Sequence, residues 1–351
     1  MRHVSSRAAA AANKIKPRLD ALTALRERGA LNDVTLAAAE LADQGRSPTV
    51  VPVRRTYIRH GEIRHVEHER KGLPSEQRPP AARLIAPRGV AGRLHLTLLF
   101  AAACQAKPGN QWPNRIPIDP DSAHRFSWMR LIGAHARHAP GGNYVASPRV
   151  NKQRQITEGL KKLRDNLLVE FPHAGTRHPF RDFTLLCDSG MSTQAAVIPY
   201  RVPKKAEAIF GIPVEFFTNG WVHLLTPSET AAYLMWLDVD QNPGHDEPYV
   251  TGAERAGHYG LGREVYETHS QLEAFGLVDV TPAAGRYDDG KYTDYGTDPG
   301  MPPCHRVSIL PEGLRRDAST VLYDALKGYA ATGDWSRPLN MRIPTPAKGG
   351  V

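Results

Sequence analysis

Two stretches of this chain share one pattern of apolar side chains at a constant spacing of 109 residues, from 154 to 263, without a gap. The first, at 154–170, reads RQITEGLKKLRDNLLVE, and the second, at 263–279, reads REVYETHSQLEAFGLVD. In the first stretch, Ile156, Leu160 and Leu163 follow one another at steps of four and three residues, which places them on one side of a helix. Both stretches end in Leu-Val and an acidic residue, an alternation typical of the start of a strand. The sequence therefore predicts a helix followed by a strand, twice.

The residues around the first stretch predict a three-helix unit that ends in a hairpin. An apolar segment at 93–106 stops at Lys-Pro-Gly, as a helix does. A second helix is expected to begin with Asp119 as its N-cap and Pro120 as its first residue, and to end at the turn APGGN. After the basic stretch, a turn-rich tip separates the β-like residues 168–171 from a return strand at 183–188.

The second stretch has a similar setting. A helix over 224–239 has a strong start signal, with Thr226 as N-cap and Glu229 completing a capping box. A hairpin with the tip RYDDGKY follows the second stretch, and a last helix is expected over 311–329.

The N-terminal region has three kinds of segment. One or two helices, broken near Gly29, are expected over 14–44. The residues at 47–66 have a β-like pattern, and those at 72–89 are rich in Pro and Arg, which is typical of a linker.

Charge is distributed unevenly along the chain. Residues 1–181 hold 31 Lys and Arg against 14 Asp and Glu, a net charge of +17, whereas 182–351 hold 14 against 22, a net charge of −8. A basic half joined to an acidic half favours a polyanion as the partner of the first half. The charge alone leaves open a second interpretation, in which solubilising surface charge is merely spread unevenly.

The order helix, helix, basic helix and hairpin resembles the winged-helix superfamily of bacterial DNA-binding proteins, here as a tandem pair. The resemblance rests on the apolar stripe of the third helix and on the Leu-Val that leads into the wing, and the architecture is also similar to that of plasmid replication initiators. It implies an α+β, mainly α fold: two tandem winged-helix domains with an N-terminal basic extension. The implied segments are a basic, partly disordered N-terminal region with helix and β-like parts (1–90), a basic winged-helix domain 1 (91–190), a linker (191–214), an acidic winged-helix domain 2 (215–330) and a C-terminal tail (331–351).

The first copy departs from the winged-helix pattern at two points. The connection between its second and third helices is long, at 139–148. Leu167 stands where a helix-ending glycine is usual and where the second copy has Gly276. Asn166 is therefore expected to supply the left-handed residue that ends the helix.

The resemblance implies that the third helix of the first copy enters the major groove and reaches base edges with its N-terminal half. Arginine can bridge the acceptors of guanine, and Gln or Asn can pair with adenine. Lys162 and Arg164 are expected to hold phosphate, while arginines flanking the wing can enter a narrow minor groove. The predicted DNA-binding residues are Lys152, Gln153, Arg154, Gln155, Thr157, Lys161, Lys162, Arg164, Arg177 and Arg181. The alternative is that these are ordinary exposed helix residues.

The second copy keeps the apolar positions and loses the cations. At the same spacing, Lys162 becomes Gln271 and Arg164 becomes Glu273. We infer that residues 215–330 dock a protein surface, such as a second subunit in a homodimer, or meet DNA only through Arg263.

Three functions remain open. The first is a sequence-specific double-stranded DNA-binding transcription regulator that acts as a dimer. The second is a plasmid or phage replication initiator that binds origin repeats, and the third is a winged-helix adaptor that does not bind DNA.

Several other classes find no support in the sequence. No paired catalytic constellation or cofactor motif is found, so we expect no enzyme activity and no cofactor. His65 and His68, three residues apart, are a weak zinc pattern within a β-like segment, and no metal is expected. The chain has no run of about 18 apolar residues and a poor signal-peptide pattern, which predicts a cytoplasmic, nucleoid-associated protein without a membrane partner.

Overall fold

Helix-forming segments and short alternating strands give this chain an α+β, mainly α fold. The computed structural model describes residues 2–85, 89–120, 124–133, 147–242, 248–283 and 304–335. The predicted turn APGGN and the tip RYDDGKY lie outside these residues. The helices are α1 (Arg2–Glu27), α2 (Ala30–Gln44), α3 (Pro80–Arg83), α4 (Ala91–Gln105), α5 (Trp128–Leu131), α6 (Pro148–Asp165), α7 (Glu215–Thr218), α8 (Trp221–Leu224), α9 (Pro227–Asp240), α10 (Gly252–Gly257), α11 (Arg263–Tyr266), α12 (His269–Ala274) and α13 (Ala318–Thr332). The strands are β1 (Val50–Arg54), β2 (Val169–Glu170), β3 (Thr184–Leu185), β4 (Ile209–Pro213), β5 (Val278–Thr281) and β6 (Arg306–Ile309).

The N-terminal region forms two helices separated at Gly29, as the sequence predicts. Gly29 has a φ of 65°, a left-handed conformation that glycine tolerates because it lacks a Cβ. Helix α1 packs along α13 and buries Leu22. Arg18 of α1 forms an ion pair with Glu229 of α9, with 2.6 Å between Nη1 and Oε1. Glu229 also completes the predicted capping box with Thr226, so the start of α9 and the N-terminal helix are fixed together.

Strand β1 pairs with a distant strand. It runs antiparallel to β4, with Val50 opposite Pro213 and Arg54 opposite Ile209. Strand β4 lies in the stretch that the sequence assigns to a linker. Within the β-like segment at 47–66, only β1 is a strand, because the chain turns into a 3-10 helix at Arg55–Tyr57.

Two buried carboxylates join β1 to both copies of the repeated pattern. Arg54 pairs with Asp188, which follows the first hairpin, with 2.6 Å between Nη1 and Oδ1. The next residue, Arg55, pairs with Asp238 of α9, and the Tyr259 hydroxyl donates to the same carboxylate at 2.9 Å. Both carboxylates are fully buried, and a buried carboxylate is stable only when it is paired and hydrogen-bonded. The β1 segment therefore ties the two copies together.

The repeated pattern ends in the same way at both places, although the single helix predicted for the second copy is divided into α11 and α12. In the first copy, the amide of Leu168 donates to the Leu163 carbonyl at 2.9 Å, and in the second the amide of Leu277 donates to Leu272, also at 2.9 Å. Each bond is that of a Schellman C-cap, in which a left-handed residue ends the helix. Strands β2 and β3, then β5 and β6, continue each helix as an antiparallel hairpin.

The left-handed residue of the first copy is not the one that the sequence indicates. Asn166 has a φ of −99°, whereas Leu167 has a φ of 56°, matching the 73° of Gly276. The expectation for Asn166 is therefore wrong. The Asn166 side chain instead donates to the Lys162 carbonyl at 2.8 Å. The first copy thus keeps the turn geometry of the second, with Leu167 in a conformation that is unfavourable for a residue with a Cβ.

The helix predicted to begin at Asp119 is also wrong. Residues 119 and 120 are not helical, and among the described residues up to 133 the single turn α5, capped by Ser127, is the only helix. Asp119 accepts a hydrogen bond from the Gln153 side chain at 2.7 Å. Its carboxylate therefore serves a tertiary contact instead of capping a helix. By contrast, the apolar helix α4 and the capped helix α9 lie where the sequence predicts them.

Buried apolar side chains form one cluster that extends from Ile15 in α1 to Leu326 in α13. It includes the large side chains Trp128, Trp221 and Trp236. The N-terminal helices and both copies thus share a core. Among the described helices, none is long and apolar enough to cross a membrane.

Candidate nucleic-acid interface

Helix α6, which contains the first stretch, is positioned by its start signal and by a close contact with α4. Ser147 caps it, accepting from the Val150 amide, and Pro148 is its first residue. Gly159 faces α4, where an added Cβ would lie 3.0 Å from Val90 Cγ2 and 3.2 Å from Leu94 Cδ2. The glycine permits this approach, and the buried stripe of Ile156, Leu160 and Leu163 anchors α6 to the core.

The exposed side of α6 carries cations in two different states. Lys161 pairs with Glu158 at 2.7 Å, and Arg164 pairs with the adjacent Asp165 at 2.9 Å. Arg154 and Lys162 are exposed, and neither forms an ion pair or a side-chain hydrogen bond with any residue that the structure describes. An exposed ion pair is worth only up to about 1 kcal/mol, but it must be broken before Lys161 or Arg164 can bind another anion, whereas Arg154 and Lys162 have no pair to break. Arg154 and Lys162 are therefore the cations of α6 that are most available to an anion.

Two predicted residues at the start of α6 face the protein. Lys152 is half-buried, and its pKa is lowered because burial disfavours the ammonium, an effect that the nearby Asp33 carboxylate opposes. Gln153 donates to Asp119 Oδ2. The Gln153 side chain is therefore bound within the protein, and that of Lys152 is only partly accessible.

The other two polar residues predicted on α6, Gln155 and Thr157, are less accessible than Arg154 and Lys162. The Thr157 hydroxyl donates to the Arg154 carbonyl at 3.0 Å. Gln155 is half-buried and lines a cavity beside α6. Neither projects from the helix as freely as Arg154.

The loop between β2 and β3 brings two further arginines to the surface. Arg177 is exposed and has no ion pair among the described residues. Arg181 is 73% exposed and lies 3.4 Å from the carboxylate of Asp182. The base of the loop is held by an edge-to-face contact between Phe171 and Phe180, whose ring centroids are 5.2 Å apart. The structure thus places the predicted wing arginines outside the core, on a loop with a fixed base.

A cavity of about 630 Å³ opens between α6, the start of α4 and the start of α9. One wall holds five of the predicted residues: Arg154, Gln155, Lys161, Lys162 and Arg164. The opposite walls are mainly apolar and include Leu84, Val90 and Leu225. The polar side of α6 is therefore the rim of a concave site.

Arg93 is a cavity residue that the sequence reasoning missed. It lies in the first turn of α4, and its Nη1 donates to the carbonyls of Gly133 at 3.1 Å and His223 at 2.7 Å. Burial lowers its pKa to about 10, and no carboxylate of a described residue pairs with it. The available signal was a lone arginine in an otherwise apolar helix, since an unpaired buried charge requires a compensating group.

The corresponding helix of the second copy has a different electrostatic surface. It breaks into α11 and α12, and its only retained arginine, Arg263, pairs with Glu267 at 2.7 Å. Glu264 is exposed. Farther along, Phe275 is buried and packs edge-to-face on Trp335, with ring centroids 6.1 Å apart. The second copy therefore offers no uncompensated cation at the positions matching Arg154 and Lys162.

Comparisons with protein-family models, with curated proteins and with solved structures give no significant match. Within the described parts of the chain, no three His, Cys, Asp or Glu side chains form a group suited to a metal ion.

Proposed function

We propose that this protein binds double-stranded DNA through α6 and the β2–β3 loop. Arg154 would contact base edges in the major groove, Lys162 would contact phosphate, and Arg177 would reach a phosphate or the minor groove. Gln153 leaves the predicted contact set because its side chain is bound to Asp119, and Lys152 leaves it because its side chain is half-buried.

One observation carries the proposal: Arg154 and Lys162 are exposed and uncompensated in the first copy, while the same scaffold in the second copy lacks such cations. The apolar stripe, the left-handed residue and the hairpin are present in both copies. Because the second copy folds without these charges, folding does not require them. Phosphate binding gives them a physical role, since each contact releases counterions from DNA.

The repeated helix and hairpin support a tandem winged-helix interpretation of the fold. In that interpretation, α6 is the recognition helix and the β2–β3 loop is the wing. Acting on genomic DNA, the protein would function in the cytoplasm at the nucleoid.

The second copy would contact protein instead of DNA in this proposal. Glu264 and Glu267 would repel phosphate, and Arg263 is already neutralised. A homodimer would place two copies of α6 on half-sites about one helical turn apart. Sedimentation of the protein with and without a two-half-site duplex would show whether two chains bind together.

Salt dependence tests the phosphate contacts. Binding of a selected duplex should fall steeply between about 50 and 200 mM salt, because the logarithm of the affinity decreases by about 0.9 per phosphate contact for each unit of log salt concentration. Fluorescence anisotropy of a labelled duplex measures this slope. An absence of binding at the lower salt concentration, or a flat slope, would contradict the proposal.

Matched variants test the residues. Arg154→Ala should weaken binding to the preferred site by about 1–3 kcal/mol and relax sequence preference, as for a lost base contact. Lys162→Ala should weaken all duplexes about equally and reduce the salt slope by about 0.9. Arg263→Ala is the control, since it occupies the position matching Arg154 and is paired with Glu267. If Arg263→Ala reduces binding as much as Arg154→Ala, the assignment to the first copy is wrong.

The arrangement of sites separates a transcription regulator from a replication initiator. Selection of bound fragments from a random duplex pool, followed by mapping on the source genome, would give the site. A palindrome at the protein's own promoter supports regulation, whereas direct repeats beside an AT-rich stretch support initiation.

A further inference from the structure

The cavity beside α6 has the dimensions of a small-molecule site. Its volume of about 630 Å³ lies within the range of about 300–1,000 Å³ that is usual for ligand pockets. Ala81, Ile85 and Ala231 contribute to its lining and are only partly buried, so they present accessible apolar surface. Such a surface would be covered favourably by an apolar body.

The cavity also contains a cation held in a fixed position. The Nη1 group of Arg93 is bound by two backbone carbonyls, at 2.7 and 3.1 Å. The Nη2 and Nε groups have no hydrogen-bond acceptor among the described residues, and neither of these two atoms is fully buried. Because Arg93 lines the cavity and is not fully buried, these groups face accessible space. Arginine held in this way can bind a carboxylate or phosphate through two parallel hydrogen bonds.

The charges around the cavity are unbalanced. Lys161 is neutralised by Glu158, and Arg164 by Asp165. Arg93, Arg154 and Lys162 remain without a carboxylate partner among the described lining residues. An anion in the cavity would compensate this positive charge, whereas a cation would be repelled.

We propose that this cavity binds a small organic anion with an apolar body, of the alkyl or aryl carboxylate or phosphate class. The anionic group lies at Arg93 and the apolar body lies against Ala81, Ile85 and Ala231. This site stands independently of DNA binding. One consequence does rest on the proposed function: because Arg154 and Lys162 serve both sites, the ligand and DNA should compete.

Direct binding to the full-length protein tests the site. The probe is 1-anilinonaphthalene-8-sulfonate, an aromatic anion whose fluorescence rises in apolar surroundings. We expect saturable binding of one probe per chain. Decanoate and decyl phosphate should displace the probe at concentrations at least about tenfold lower than decanol, which has the same alkyl chain without the charge. Equal displacement by decanol, or probe binding without saturation, would overturn the proposal.

Two variants locate the site in the cavity. Ala231→Trp, on the α9 side, adds an indole ring that fills the cavity and should abolish probe binding. Arg93→Met keeps an unbranched side chain and removes the guanidinium charge, so it should remove the preference for decanoate over decanol. Arg149→Ala is the matched control, because Arg149 is a 66% exposed arginine of α6 outside the cavity. Circular dichroism confirms that each variant is folded, and unchanged probe binding by folded Ala231→Trp would refute the assignment.

The two proposals can fail separately. Arg177 lies outside the cavity, so Arg177→Ala should weaken DNA binding and leave probe binding unchanged. If no duplex is bound but Ala231→Trp still abolishes probe binding, the ligand site stands and the DNA-binding proposal falls. If duplexes bind and the probe does not, the ligand site is refuted alone.

Discussion

The left-handed conformation of Leu167, just after α6, predicts how substitutions at this position change the stability of the protein. With a φ of 56°, a residue with a Cβ is strained by about 1–2 kcal/mol. Leu167→Ala and Leu167→Gly remove the same side chain and differ only in whether a Cβ remains. Glycine loses more backbone entropy on folding, a cost of about 0.4–1 kcal/mol relative to alanine. The two effects oppose each other, and their difference predicts that the glycine variant is more stable than the alanine variant by up to about 1.6 kcal/mol.

A control in the same helix should give the opposite sign. Glu158 is an exposed residue in the interior of α6, where glycine is less stable than alanine by about 1 kcal/mol. Urea unfolding followed by circular dichroism measures both pairs. If Leu167→Ala is more stable than Leu167→Gly by as much as the alanine variant is at Glu158, the side chain at 167 is not strained and the correspondence with Gly276 has no energetic meaning.

Two further predictions concern buried polar groups. Asp238→Ala leaves Arg55 and the Tyr259 hydroxyl without their shared carboxylate, so unfolding free energy should fall by about 3–5 kcal/mol; a loss below that of an exposed ion pair in urea unfolding would contradict the buried-pair interpretation. Burial lowers the pKa of His95 and of His223 to about 3, so the folded protein keeps both rings neutral where the unfolded chain protonates them. Stability is therefore full above the unfolded pKa of about 6.5 and falls as pH decreases from there toward 3. Thermal unfolding from pH 7 to pH 4 measures this loss, which should be smaller in a His95→Gln, His223→Gln variant; an unchanged slope would exclude the histidines as its source.

The sequence by itself determined the elements whose signals are local. The apolar stripe of Ile156, Leu160 and Leu163 fixed α6 and its buried side. Thr226 and Glu229 fixed the start of α9, because the residues of a capping box contact one another within a single turn. The repeat at a spacing of 109 residues correctly predicted a hairpin after each helix.

Other features depended on contacts between residues far apart in the chain. The alternation in β1 gave a strand without its partner, and only the folded chain paired it with β4, which the sequence assigned to a linker. Asp119 is of a residue type that commonly caps helices, but its carboxylate accepts a hydrogen bond from Gln153 of α6. A local sequence pattern does not predict such a tertiary contact, because the two residues come together only when the chain folds.

The candidate site shows the same division. Composition identified the cations of the first stretch, and the second copy indicated that the scaffold does not need them. The exposure of each side chain was decided by the tertiary structure: Lys152 is half-buried, while Arg154 and Lys162 are exposed. The cavity could not be predicted from the sequence, because the void arises where α4, α6 and α9 meet, although Arg93 stands out as the lone arginine of an apolar helix. Helix periodicity fixes which residues share a face, but only packing decides what that face encloses.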